Sequence, residues 1–237
     1  MKTLLATLIV LTASSASAEG PSAPGGYDWT GIYTGVHAGF GRQAISGMFD
    51  QGGPPGGPYD LSTFDVNGVA GGVHLGVNKQ WNTLVLGVEG DISASDLSAK
   101  RDGAPFPGST IGVEANVNLL ASLRGRAGVA FDNLLLYGTG GIGFAKYSFT
   151  STFTGIGFVP ESASVFGQGW GAVYGAGLEY GKGNVVFRLE ALHYDVKSSF
   201  MFAGGEIPDA DAGDFINWGG VTVVRAGLSY KVPVVGQ

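Results

Sequence analysis

The stretch that most constrains this 237-residue chain runs from 117 to 146 and reads VNLLASLRGRAGVAFDNLLLYGTGGIGFAK. Two long alternating segments meet at a very short turn, Asp132-Asn133. In the first, Val117, Leu119, Ala121, Leu123, Gly125, Ala127 and Val129 are uncharged, while Asn118, Ser122, Arg124 and Arg126 carry the polar groups. A period of two places these sets on opposite faces of a strand. In the second segment Leu134, Leu136, Ile142 and Phe144 share one parity, and Tyr137 and Thr139 take the other. The pair reads as a β-hairpin, with each arm long enough for a membrane-crossing strand, which needs ~9–11 residues. Alternation also suits a soluble sandwich, so the rest of the chain has to decide.

Composition narrows the choice. Only 14% of residues are charged and 44% are hydrophobic, against ~25% charged in ordinary soluble domains. There is no cysteine, which removes disulfides, thiolate metal sites and cysteine nucleophiles together. The net charge of −6 argues against a nucleic-acid partner, which wants a basic face. Lys2, the apolar run 4–11 and the small-residue site Ala16-Ser17-Ala18 have the layout of an export signal. That run is too short for the ~20 residues of a spanning helix. The expected division is a signal peptide at 1–18, a periplasmic leader at 19–30, a barrel at 31–232 and a short tail at 233–237.

Further alternating segments lie at 31–40, 67–78, 84–94, 170–180, 185–194 and 221–232. With the central hairpin they make eight strands. The connections alternate between long (42–64, 95–113, 150–167, 197–218) and very short. Short periplasmic turns and long external loops characterise outer-membrane barrels. The fold expected is therefore all-β, an eight-stranded antiparallel up-and-down transmembrane β-barrel.

One parity of each strand is uncharged over its middle. The other carries Glu89, Asp91, Arg124, Arg126, Glu179, Arg188, Glu190, Arg225 and Lys231. An Arg or Lys facing lipid at mid-depth costs ~2–4 kcal/mol, so these charges are expected inside, paired with one another. The first eight are expected to form one buried interior network. All four tryptophans fall at strand ends: Trp29 and Trp81 at the short-turn side, Trp170 and Trp218 at the long-loop side. That reads as two interfacial aromatic girdles.

DWTGIYTGVHAGFG, LVLGVEGDISASD, LRGRAGVAFDNLLLYGTGGIGFA, GWGAVYGAGLEY and VRAGLSYKV, in this order, resemble the small outer-membrane β-barrel family of Gram-negative bacteria. That family is often labelled "porin family protein" and includes major surface antigens and haemin-binding outer-membrane proteins. The likeness covers about 27–232 and implies an eight-stranded barrel of OmpA-like size. One departure is the end of the chain, where Tyr230-Lys231 is followed by Val232 rather than an aromatic residue. The resemblance makes that aromatic the feature read by the insertion machinery.

Chemistry-bearing motifs are few. Residues 138–143 read GTGGIG and satisfy GxGxxG, but a β-branched and aromatic segment follows instead of a helix, so the dinucleotide reading fails its context. His37 and His74 share the interior parity on neighbouring strands; they are weak haem or metal candidates and otherwise polar filler. If Gly31 faces Gln80, His37 falls directly opposite His74. His193 with Ser198 and Ser199 is all that would serve a lipid-modifying enzyme, without diagnostic spacing. Glu206, Asp209, Asp211 and Asp214 read as a solvated acidic loop and not an EF-hand.

An eight-stranded barrel is only wide enough for side chains to fill it. The expected role is structural and surface-displaying, non-enzymatic and without a cofactor. The alternatives are a small porin or a haem-binding uptake protein, with a lipid-modifying barrel enzyme behind them. Expected partners are outer-membrane lipid and lipopolysaccharide, the barrel-assembly machinery, and a host or surface ligand at the loops.

Overall fold

The structure, a computed structural model, describes residues 26–49, 59–103, 107–205 and 213–233. The expected signal peptide, most of the leader and the tail from 234 lie outside the described residues. So do Glu206, Asp209 and Asp211.

The described strands are β1 (Gly31–Phe49), β2 (Tyr59–Trp81), β3 (Leu84–Gly103), β4 (Ser109–Phe131), β5 (Leu134–Gly155), β6 (Glu161–Lys182), β7 (Val185–Asp195), β8 (Ser198–Met201) and β9 (Phe215–Lys231). Neighbours from β1 to β7 pair antiparallel in sequence order, β9 pairs with β7, and a β1–β9 ladder closes the ring. The short β8 resumes the line of β7 after a break and pairs with β9, as β7 does. The barrel therefore has eight staves. Closure leaves no sheet edge in the lipid, where an unpaired backbone group costs several kcal/mol.

The strands run well past the bounds read from the sequence. β3 reaches Gly103 and β4 begins at Ser109, so most of 95–113 is strand. Likewise β5 and β6 leave only 156–160 between them, and β1 and β2 occupy all of 42–64 that is described. Only 197–218 keeps a substantial connection, interrupted by β8. The glycines of these stretches are compatible with a ladder, because each hairpin goes on satisfying its own backbone as far as the tip. Proline is not. Pro107 and Pro160 both fall between strands, and they mark tips of the hairpins.

The lower part of the wall, next to the short turns, carries an exposed apolar belt that includes Val36, Phe40, Val73, Leu75, Val88, Leu123, Leu136, Phe187 and Leu228. Above Phe40 on β1 and Ile92 on β3 the outward positions turn charged or polar, at Arg42, Asp96 and Lys100. The long hairpins thus rise beyond the membrane as an external extension of the barrel. Two bulges adjust the parity at this level. Val117 pairs with Tyr147 and Leu119 with Lys146, leaving Asn118 as an extra residue on β4. Val117 consequently faces the lumen, against the outward parity expected from the alternation. Gly219 and Gly220 form the corresponding extra step on β9 opposite Ala44. They turn Trp218 and Ile216 inward.

The girdle reading is corrected in the same way. Trp81 and Trp170 are exposed, but Trp29 and Trp218 are buried inside the barrel. Trp218 stacks on Tyr147 with ring centroids 4.6 Å apart, and Trp29 belongs to an aromatic and aliphatic plug at the periplasmic mouth with Val85, Leu135, Tyr137 and Val186.

Candidate functional site: the filled lumen

The lumen holds three layers. In the external extension it is an apolar core, with Ile45, Val66, Leu97, Val117, Leu120, Tyr147, Phe149, Leu192, Val196, Phe202 and Trp218 packed together. At mid-height it is ionic. At the periplasmic mouth the Trp29 plug closes it.

The ionic layer contains Glu89 and Asp91 from β3, Arg124 and Arg126 from β4, Glu179 from β6, Arg188 and Glu190 from β7 and Arg225 from β9, all buried. Four positive and four negative charges balance. The ladders bring Glu89 opposite Arg124, Glu179 opposite Arg188 and Glu190 opposite Arg225, so each partner is the nearest cross-strand neighbour on the inner face. Glu89 is the hub. Its carboxylate accepts from Arg188 Nη1 and Nη2 at 2.8 and 2.6 Å, a bidentate fork, and from Arg124 Nη2 at 2.6 Å. Arg124 also donates to Glu190 at 2.9 Å and Asp91 at 3.1 Å. Arg225 donates through Nε to Glu190 at 2.8 Å and through Nη1 to Asp91 at 2.9 Å. Arg126 lies 2.9 Å from Glu179, with its guanidinium 4.0 Å from the centre of the Tyr137 ring.

Hydroxyls extend the layer. Arg126 Nη1 donates to Tyr33 Oη at 2.7 Å, and Tyr33 donates on to Glu89 Oε2 at 2.7 Å. Tyr137 donates to Glu190 at 2.9 Å, and Ser122 donates to Asp91. Lys231, which the parity grouped with these charges, lies apart at the periplasmic rim, where its Nζ reaches the Asp28 carbonyl at 2.5 Å and the carboxylate at 3.4 Å. The ionic layer is therefore neutral without it.

The β1–β2 register pairs Gly31 with Asn78 and not with Gln80. His37 consequently lies opposite Gly72, and His74 opposite Gly35. The rings still meet on the diagonal, with centroids 5.6 Å apart and the two Nδ1 atoms at 3.3 Å. Gly35 is what allows it, since a Cβ there would lie 2.7 Å from His74 Nε2. The partners fix the tautomers. An arginine only donates, so His37 Nε2, 3.2 Å from Arg225 Nη1 and 2.7 Å from Ser93 Oγ, is an acceptor. His37 Nδ1–H then donates to His74 Nδ1, and His74 Nε2–H to Ser229 Oγ at 2.7 Å. All four ring nitrogens are engaged within the protein.

The remaining sequence candidates are not drawn together. The GxGxxG glycines lie in the middle of β5. Gly141 and Gly143 face inward, and a Cβ on Gly143 would lie 2.8 Å from the Tyr194 ring, so room for interior side chains is their use. His193 Nδ1 bonds Thr222 Oγ1 at 2.9 Å. Ser198 is paired four residues further along β9, at Trp218, roughly 13 Å away at ~3.3 Å per residue. Asp214 is buried rather than solvated. Among the described residues no group of three or more His, Asp or Glu side chains is disposed to hold a metal ion.

Sequence reasoning missed the periplasmic strap. Residues 26–30 cross the mouth from β1 to the β4–β5 turn, where Tyr27 N–H donates to the Asp132 carbonyl at 3.0 Å. Trp29 N–H donates to Gln80 Oε1 at 2.8 Å on the way. Burial, then the nearby Glu179 and Asp28 charges, push the Tyr27 hydroxyl up to about 12. The proline and glycine content of 19–28 concealed the anchoring function of Tyr27 and Trp29. Their size and apolarity were the available signal.

A closed antiparallel barrel with an apolar external belt and a filled ionic lumen defines a membrane β-barrel. The sequence matches the outer membrane protein beta-barrel domain over residues 3–231, and the chain belongs to that family and to the outer membrane. It is 28% identical to the 31 kDa outer-membrane immunogenic protein of Brucella melitensis biotype 1, over 96% of this chain and 98% of that one. It is 30% identical to a 22 kDa outer membrane protein of Rhizobium leguminosarum bv. viciae, over 74% of each. Among solved structures, OprG of Pseudomonas aeruginosa aligns with a TM-score of 0.48 at 14% identity, covering 87% of this chain and 99% of that one.

Proposed function

We propose that this protein is a closed barrel with a structural and surface-displaying role in the outer membrane, neither a pore nor an enzyme. The observation that carries this reading is the ionic layer. Eight charged side chains from five strands meet across the lumen and neutralise one another, with an apolar core above and an aromatic plug below. The space left among Tyr27, Trp29, Tyr33, Asn78, Glu179 and Ser229 is about 10 Å³, room for about one water. A solute would have to break several buried ion pairs to pass. The haem-binding alternative has against it that the only interior imidazoles spend every nitrogen on protein partners. The lipid-modifying alternative has against it the separation of His193 from Ser198.

The role then lies on the outer surfaces. The apolar belt faces membrane lipid, the charged rows above it face the lipopolysaccharide layer, and β9 is the segment offered to the assembly machinery. The relatives' description as immunogenic outer-membrane proteins supports exposure of the external extension. The test is planar-bilayer recording of the purified, folded protein. No conductance steps are expected, and regular unitary steps would overturn the reading.

A further inference from the structure

The barrel wall is complete in the membrane but splits above it. β6 is laddered to β5 along its whole length, from Leu134–Tyr180 up to Phe153–Glu161 without a register shift. On its other side it is laddered to β7 only from Lys182 to Ala172. Above that, β8 takes the place of β7, and it pairs with β9 alone. The split closes at its base, where a Cβ on Gly169 would lie 3.0 Å from Val196 Cγ1 and 3.8 Å from Ser198 Cβ. From there upward, residues 161–167 present an edge to which no described strand is hydrogen-bonded.

Exposed edges are ordinarily blunted with lysine, proline, a bulge or inward-pointing charge. The edge segment ESASVFG has none of these. Glu161 is its only charge, and the only one anywhere in 147–178. Ser162, Ser164 and Phe166 point outward, Phe166 being 78% exposed. Ala163 and Val165 point inward and pack, half-buried, against the apolar core beside Phe200. The split therefore offers seven residues of backbone template, charged only at Glu161, over an incompletely covered apolar floor.

We infer that the outer half of β6 is a strand-addition site, which captures an extended, uncharged peptide segment of another protein as an extra antiparallel strand. Main-chain hydrogen bonds supply affinity in this mode and alternate side chains supply selectivity. Here the inward-facing side chains of the guest meet Ala163, Val165 and Phe200, so the fitting segment alternates aliphatic and small polar residues. A second copy in the same membrane does not fit. It stands the same way up, and a two-fold along the membrane normal crosses its β6 over this one at twice the ~35–45° strand tilt, which cannot form a ladder. The inference shares with the proposed function only the outward orientation of this end. Conductance steps would remove that function and leave the edge as it is.

The test is amide hydrogen exchange on the full-length protein folded in detergent micelles. The probe is a synthetic seven-residue peptide alternating threonine and valine, capped at both ends. In the free protein, amides on the open side of 161–167 are expected to exchange at least about 100-fold faster than those of 172–180. The probe is expected to slow exchange at 161–167 by at least about tenfold, and an analogue methylated on alternate backbone nitrogens to have no effect. The inference is overturned if 161–167 are already protected without probe, which would mean another part of the chain covers the edge. It is equally overturned if the plain probe gives no protection at millimolar concentration, if the methylated analogue protects as well, or if protection maps elsewhere.

Discussion

The membrane-embedded and external halves of this barrel have opposite cross-sections. In the membrane the wall is apolar outside and ionic inside; beyond it the wall is mostly polar outside, with Phe166 and Met201 as exposed exceptions, and apolar inside. The external half is held together as a soluble domain is, by withdrawing Leu97, Phe149, Phe202 and their neighbours from water. The embedded half gains nothing of that kind from its outward leucines and valines, since lipid tails are as apolar as they are. Its interior is specified instead by charges whose burial is tolerable only as a complete set. One half is stabilised by area and tolerates approximate packing; the other depends on stoichiometry.

The sharpest way to break the comparison is to unbalance the ionic layer. Arg124→Ala removes the guanidinium shared by Glu89, Asp91 and Glu190 and leaves the layer with one excess buried negative charge, which is expected to cost ~3–5 kcal/mol in denaturant unfolding from lipid vesicles. Removing Glu190 as well restores neutrality. The Arg124→Leu/Glu190→Leu pair should therefore cost less than Arg124→Ala alone, and additive losses would show that balance is not what matters. Next comes Leu97→Ala in the external core, expected to cost ~3 kcal/mol as a cavity. Its effect should not depend on salt or on any second charged site. His37→Ala leaves His74 Nδ1 without its donor and should cost ~1–3 kcal/mol. Haem titration of that variant and the parent should give the same spectrum.

The smallest effect belongs to Asp28 at the periplasmic rim. Burial works to raise its carboxyl, but the Thr30 N–H and Lys231 outweigh that and hold it below its ordinary value. A depressed carboxyl contributes stability that is complete above the unfolded-state value of ~3.9 and is lost as pH falls through the lower folded-state value. Asp28→Asn should therefore cost less than ~1 kcal/mol at neutral pH and flatten the acid limb of the stability profile below about pH 4.

The embedded half was legible in the sequence because lipid imposes a strict rule. Each charge from Glu89 to Arg225 on the interior parity had to point inward, and the short turns fixed the strand order. The external half obeys the looser rules of a soluble sheet. Its glycine-rich strands looked like loops, and the bulges at Asn118 and Gly219–Gly220 shifted the parity unannounced. Bulges are set by how three strands fit side by side, which one strand's alternation does not record. The histidine pair shows the same limit on a smaller scale. Its meeting followed from parity, but its register differs by two residues because the turn Trp81–Leu84 sits beyond the end of β1 and cannot set that strand's offset.

The strap at the periplasmic mouth bears on the order of assembly. In a ring of eight staves, the β4–β5 turn that receives Tyr27 lies diametrically across from β1, where the strap begins. Its anchorage does not exist until β4 and β5 are paired and the ring is nearly shut, although these residues emerge from the ribosome before any strand. The strap thus docks only after the β4–β5 turn that follows it by about a hundred residues has formed. Contacts made after the rate-limiting closure leave the rate of folding unchanged and slow the rate of unfolding. Residues 26–30 thereby act as a latch across the mouth of the barrel, from β1 to the β4–β5 turn.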